Sequence, residues 1–127
     1  MGTPIWQWSA VDTAGAIRDR RVTSEEVVRA HIDRMREVNP AINAIVVDLG
    51  EQAVAAARAA DQAKAQGAAL GRLHGVPVTI KINIDVEGQA NSNGVLGFRN
   101  NIAPGDAPVT ANLKKAGAII IGMTNTP

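Results

Sequence analysis

The sequence of 127 residues contains no cysteine. That excludes a disulfide scaffold, a thiolate zinc site and a cysteine nucleophile. Aromatic residues make up 2% of the chain (Trp6, Trp8 and Phe98), so a core has to be assembled from Ala, Val, Ile and Leu. Serine is scarce too, limited to Ser9, Ser24 and Ser92. Neither sign of charge dominates: 13 Lys and Arg against 12 Asp and Glu leave a net charge of +1. No electrostatic footprint for nucleic acid or an acidic membrane follows from that balance. No apolar run, Ala118-Ile119-Ile120-Ile121 included, approaches the roughly 20 residues needed to cross a bilayer. The stretch Met1 to Ala10 has neither the basic nor the apolar region of a secretory signal. The expectation is a soluble cytoplasmic protein.

What is present is a globular composition, 46% apolar and 20% charged, with a length that suits a single domain over 1–127. Ser9 to Arg18 reads as a short helix. Thr23-Ser24-Glu25-Glu26 has the form of a capping box, in which the Thr23 hydroxyl and the Glu26 carboxylate each accept from the other residue's amide. Val28, Ile32 and Met35 then recur at helical spacing as an apolar stripe, and the charges around them read as a solvated face. Asn39-Pro40 predicts the stop of this helix, because proline disfavours the helical region for the residue before it. Ala44 to Val47 is a strand candidate, and Glu51 to about Gln66 an alanine-dense helix closed by Gly67.

A second strand is predicted over Val76 to Ile82, with Pro77 near its start where a missing amide is tolerated. The segment from Val86 to Pro108 is rich in Gly and Asn and reads as irregular, and so long a loop in a compact domain is usually functional. A helix from Pro108 to about Ala116 and a strand from Ala118 to Met123 complete a crossover unit. That order predicts parallel pairing of the second and third strands with a right-handed connection. The fold class is α/β, with helices packed on a mixed, largely parallel sheet.

Lys81 stands out in this pattern. It interrupts an apolar strand, and alternation puts Thr79 and Asn83 on its face. An ammonium there is costly unless paired or neutralised, and burial lowers a lysine pKa, which frees the amine to act as base or nucleophile. The plainer alternative is a lysine on an edge strand that reaches solvent and blunts sheet-edge aggregation. His31 and His74 are too far apart, without helical His-x-x-x-His spacing, to make a metal site. His31, beside the apolar stripe, reads as surface or boundary packing, and His74 as structural hydrogen bonding, with contact to a site as the alternative. The glycines between 67 and 97 match neither a P-loop nor a dinucleotide fingerprint. Asn91, Asn93 and Gly94 fit turn chemistry, with substrate contact as the alternative. No cofactor or metal is implied.

The string Gly71-Arg72-Leu73-His74-Gly75-Val76-Pro77-Val78-Thr79-Ile80-Lys81 resembles the segment that carries the catalytic lysine of the amidase signature family. The likeness continues through Asn83, Asp85, Gly88, Asn93-Gly94 and Ala103 to Pro108. It then runs through Leu113 to Ala118 and Gly122-Met123-Thr124-Asn125-Thr126-Pro127. It also extends back over Ser24 to Val28 and Asn39 to Ala44, hence over nearly the whole chain. Two positions depart from the family pattern: Ile82, where aspartate is frequent, and Val95, where serine often follows the glycine.

The resemblance implies an amide hydrolase that uses a serine, a second serine in a cis peptide and a lysine, here Lys81. The substrate would be a small carboxamide, released as acid plus ammonia or amine. It also implies that both serines belong to a glycine- and serine-rich segment, a pattern that flanks none of Ser9, Ser24 and Ser92. The expectation is therefore an N-terminal fragment of an amidase-signature domain that carries only the lysine and is inactive alone. A sheet cut short in this way predicts association, as a homo-oligomer or through exchanged elements. One alternative is a non-catalytic structural or assembly module. Another is a Schiff-base enzyme with Lys81 as nucleophile and Asp85 as acid–base partner.

Overall fold

The computed structural model describes residues 2–127. A short 3-10 turn, Ile5–Gln7, leads into α1 (Ala10–Arg18), α2 (Ser24–Ile42), β1 (Ile45–Asp48), α3 (Gly50–Ala65), β2 (Pro77–Lys81), α4 (Pro108–Lys115) and β3 (Ile119–Thr124). A second 3-10 turn, Leu96–Phe98, lies in the long connection between β2 and α4. No helix among the described residues is long and apolar enough to cross a membrane.

The helices start where their capping residues stand. Ser9 accepts the Asp12 amide at the head of α1. At the head of α2 the capping box forms in full: the Thr23 amide donates to Glu26 Oε2 at 2.8 Å, and the Glu26 amide donates to Thr23 Oγ1 at 3.1 Å. The expected stop at Asn39-Pro40 is wrong, since α2 continues through Pro40 to Ile42. Pro40 deprives the helix of a single donor, and it does so on an exposed turn where water can serve the freed carbonyl. Asn39 is held helical against its local preference by tertiary bonds. Its side chain accepts from the Ile45 amide at 2.8 Å and donates to the Ile45 carbonyl at 2.9 Å. The helix then ends at Asn43 in the left-handed region, φ 48°.

The strands form one sheet in the order β1-β3-β2, with β3 central, antiparallel to β1 and parallel to β2. It is a mixed sheet, and the predicted parallel pairing of β2 with β3 is present. Pairing of Val78 with Ile120 and of Thr79 with Gly122 leaves Ile121 as an extra residue in β3. That bulge shifts the alternation of side chains between faces. Ile119 and Ile121 accordingly pack with Val28, Ile32 and Met35 of α2 and Ala53 and Ala57 of α3. Met123 turns to the opposite face, with Leu49, Ile80, Ile82 and Val86. Each fully buried side chain of this size contributes about 1.5–3 kcal/mol. Both faces of β3 are therefore covered, as its unbroken apolar run predicts.

Candidate active site

The segment before β2 is set by close backbone packing. The Leu73 amide donates to the Ala116 carbonyl at 2.8 Å, the Gly75 amide to Gly117 at 3.0 Å, and the Ile119 amide to Val76 at 2.9 Å. Gly71 has to be glycine here, because a β-carbon would run into the Ala116 backbone carbonyl. These bonds bring β2 and β3 into parallel register, and that register places Lys81 opposite Thr124. The two residues end their strands together. In open α/β sheets the carboxyl ends of parallel strands are where ligands bind.

Lys81 is half-buried there. It is the only lysine in a strand among the described residues. The register carries Thr79 opposite Gly122 and Lys81 opposite Thr124 on one face, the face on which Gly122 meets Met35 of α2. Strand alternation does not extend to Asn83. β2 ends at Lys81, and the Ile84 amide turns back to the Lys81 carbonyl at 2.9 Å. The Ile82 amide still reaches the Thr124 carbonyl at 2.9 Å, so the ladder outlasts the strand by one bond. β2 is also an edge strand in this sheet and Thr79 is exposed. The plainer reading of the pattern, a lysine at a sheet edge, thus describes the strand. The residue is nevertheless half-buried, at a strand end where two chain segments converge.

Those segments are the long β2–α4 connection and the residues after β3. The connection is pinned near its start. The Asp85 carbonyl accepts from the Ala107 amide at 3.0 Å and from the fully buried Thr110 hydroxyl at 2.9 Å. The Asp85 carboxylate takes the Asn91 side-chain amide at 2.7 Å. Asp106 binds the Glu87 amide at 2.8 Å and Lys114 at 2.8 Å. These two partners, the Glu87 amide first, hold the Asp106 carboxyl below its ordinary range. Farther out, Gly94 packs so closely on Thr126 that a β-carbon would stand 3.0 Å from its methyl. The loop tip therefore borders the chain just after β3. Asn125 is anchored by its amide to the Ala44 carbonyl at 2.8 Å.

The histidines do not join this place. His31 bonds through Nδ1 to the Val27 carbonyl at 2.8 Å, and His74 through Nε2 to the Ala60 carbonyl at 3.1 Å. The serines lie elsewhere as well, and the buried Ser24 hydroxyl has no hydrogen-bond partner among the described residues. Ser9 caps α1, Ser24 is buried against the turn at Gly75, and Ser92 accepts the Gly94 amide at 3.2 Å. Three cavities of about 260 Å³ lie away from Lys81: one between α2 and α3 beside Arg36 and Glu51, one against Leu49, Val86 and Ile120, and one beside Thr23, Asp61 and Lys64. Sequence reasoning missed Thr124, because cross-strand register is not written in either strand alone.

A family model for amidases matches residues 26–127. The chain belongs to that family. It is 62% identical over 124 residues to an indoleacetamide hydrolase of Bradyrhizobium diazoefficiens, covering 98% of the amidase chain described here and 24% of the relative. It is 41% identical over 129 residues to the human fatty-acid amide hydrolase 2, covering 96% and 24%. The structure of a peptide amidase from Stenotrophomonas maltophilia superposes with a TM-score of 0.86 at 26% identity, over 96% of this chain and 25% of that one. The chain thus spans about a quarter of the length of the curated relatives it matches. The α/β fold with its mixed sheet is the fold of amidase-signature enzymes.

Proposed function

We propose that this chain supplies Lys81 as the proton acceptor of an amide hydrolase that works through a serine, a second serine in a cis peptide, and lysine. A neutral Lys81 amine takes the proton of the bridging serine. That serine takes the proton of the nucleophilic serine, which attacks the amide carbonyl. Backbone amides hold the oxyanion, ammonia or an amine leaves, and water releases the acid. The observation that carries the reading is the position of Lys81, half-buried at the carboxyl ends of the parallel pair β2 and β3 in a chain of the amidase family.

In this reading both serines come from sequence that the 127 residues do not contain, and the chain alone does not turn over. The substrate is a small carboxamide. The names of the relatives make indole-3-acetamide and a fatty-acid amide the first compounds to assay. The test compares the 127-residue chain with a polypeptide that continues it into a glycine- and serine-rich segment. The longer form should hydrolyse the amide, and Lys81→Ala should lower its kcat by about 10²–10⁴, the usual share of a general base. Undiminished turnover in that variant would remove Lys81 from the mechanism, and turnover by the short chain would refute its incompleteness.

A further inference from the structure

We propose that Asn93 is a site of spontaneous covalent modification, at which its side-chain amide is lost through attack by the following backbone nitrogen. Ser92 to Val95 form a tight turn, closed by the Val95 amide on the Ser92 carbonyl at 2.8 Å. Both central residues have positive φ, 49° at Asn93 and 73° at Gly94, the signature of a primed turn. Asn93 and Gly94 are exposed, and the Asn93 side chain enters none of the side-chain hydrogen bonds among the described residues. It is free to rotate its carboxamide carbon toward the Gly94 nitrogen, and glycine carries no β-carbon to obstruct that approach. The Gly94 amide proton, which the reaction must remove, already donates to Ser92 Oγ at 3.2 Å.

Four other asparagines are restrained or hindered, and Asn43, Asn83, Asn100 and Asn112 precede Ala, Ile, Asn and Leu, whose β-carbons obstruct the approach. The Asn91 side chain donates to Asp85, Asn39 is bound twice to Ile45, and Asn101 donates to the Asn91 carbonyl. Asn125 has its side-chain oxygen within 2.9 Å of the next amide, but that residue is the β-branched Thr126. Asn93 alone precedes glycine.

In the reaction the Gly94 nitrogen bonds to the Asn93 side-chain carbonyl carbon. The bond from that carbon to Nδ2 breaks, and ammonia departs with the proton from the Gly94 amide. Water then opens the cyclic imide at either carbonyl, giving aspartate or an isoaspartate whose backbone runs through the side-chain carbon. The new carboxylate arises on the loop that touches Thr126, two residues past the partner of Lys81.

The test is incubation of the 127-residue chain at mildly alkaline pH, followed by peptide mapping and enzymatic methyl labelling of isoaspartate. Asn93 should convert about tenfold faster than Asn91 or Asn125, a difference of ~1.4 kcal/mol in activation free energy. Asn93→Gln should abolish the label, because the larger ring closes far more slowly, and Gly94→Ala should slow conversion. An intact Asn93 peptide in a sample where Asn101 or Asn125 has reacted would overturn the assignment. So would methyl label that persists in the Asn93→Gln variant.

Discussion

Asp61 tests how far the stability of this fold depends on contacts between helices that no local pattern announces. It lies in α3 and caps α2, whose box at Thr23 and Glu26 already serves two amides. The Ser24 amide donates to Asp61 Oδ1 at 2.7 Å and the Glu25 amide to Oδ2 at 3.0 Å. Hydrogen bonds to a charged acceptor are worth about 1.5–3 kcal/mol each, and a carboxylate at a helix N-terminus gains about 0.3–1 kcal/mol from the dipole. Removing the carboxylate leaves the two amides in different positions. Glu25 is half-buried and can be served by water, but Ser24 is fully buried, so its amide would bear a desolvation penalty of about 1–3 kcal/mol. Alanine's better helix propensity in α3 returns up to about 0.7 kcal/mol. Asp61→Ala should therefore cost about 3 kcal/mol, a large share of the roughly 5–15 kcal/mol of a domain. Urea unfolding with an unchanged m-value would report it as a shift in midpoint. Asp61→Asn keeps one oxygen acceptor and should lose about half as much. If Asp61→Ala changes stability by less than ~0.5 kcal/mol, in the range of ordinary surface substitutions, or if the Asn variant is as damaging as Ala, the trans-capping argument fails.

Three further outcomes follow from the same geometry. Arg20 sits at φ 60°, where its amide bonds to Ile17 and the Arg21 amide to Ala16 to close α1; Arg20→Gly should stabilise the chain by about 0.5–1 kcal/mol in thermal unfolding, the relief of left-handed strain less the added freedom of the unfolded chain. Gly71→Ala should cost about 1–3 kcal/mol, since the new methyl meets the Ala116 carbonyl, and a midpoint unchanged in urea would contradict that packing. Asp106 has its folded pKa held below the unfolded value by the Glu87 amide and Lys114, so its contribution is complete above the ordinary carboxylate pKa and fades as the pH falls through the lower folded value. The protection of the Glu87 amide against hydrogen exchange, relative to its intrinsic rate at each pH, should fall on acidification, and in Asp106→Ala it should be low throughout.

Much of this fold can be read locally. The capping box at Thr23, the apolar stripe of Val28, Ile32 and Met35, the alanine helix closed at Gly67 and the parallel pairing of β2 with β3 are all present. Each depends on residues within a few positions of one another, or on the order of elements along the chain. The expected stop at Pro40 failed because Asn39 is held by Ile45, a bond across the α2–β1 junction that outweighs the preference of a residue before proline. Among the charges beside that apolar stripe, Arg34 stacks its guanidinium 4.3 Å from the centre of the Trp6 ring, a partner contributed by the 3-10 turn at the start of the chain.

Most helices and strands, the α/β class and the singular character of Lys81 are legible along the chain, because capping, periodicity and the cost of a charge among apolar neighbours are local physics. Three features come from long-range pairing instead: Lys81 ends an edge strand beside Thr124, Ile121 is the bulge sending Met123 to the other face, and Asp61 completes α2. Those facts depend on backbone register and on hydrogen bonds between distant segments, and the residues on either side carry no mark of the partner they will meet.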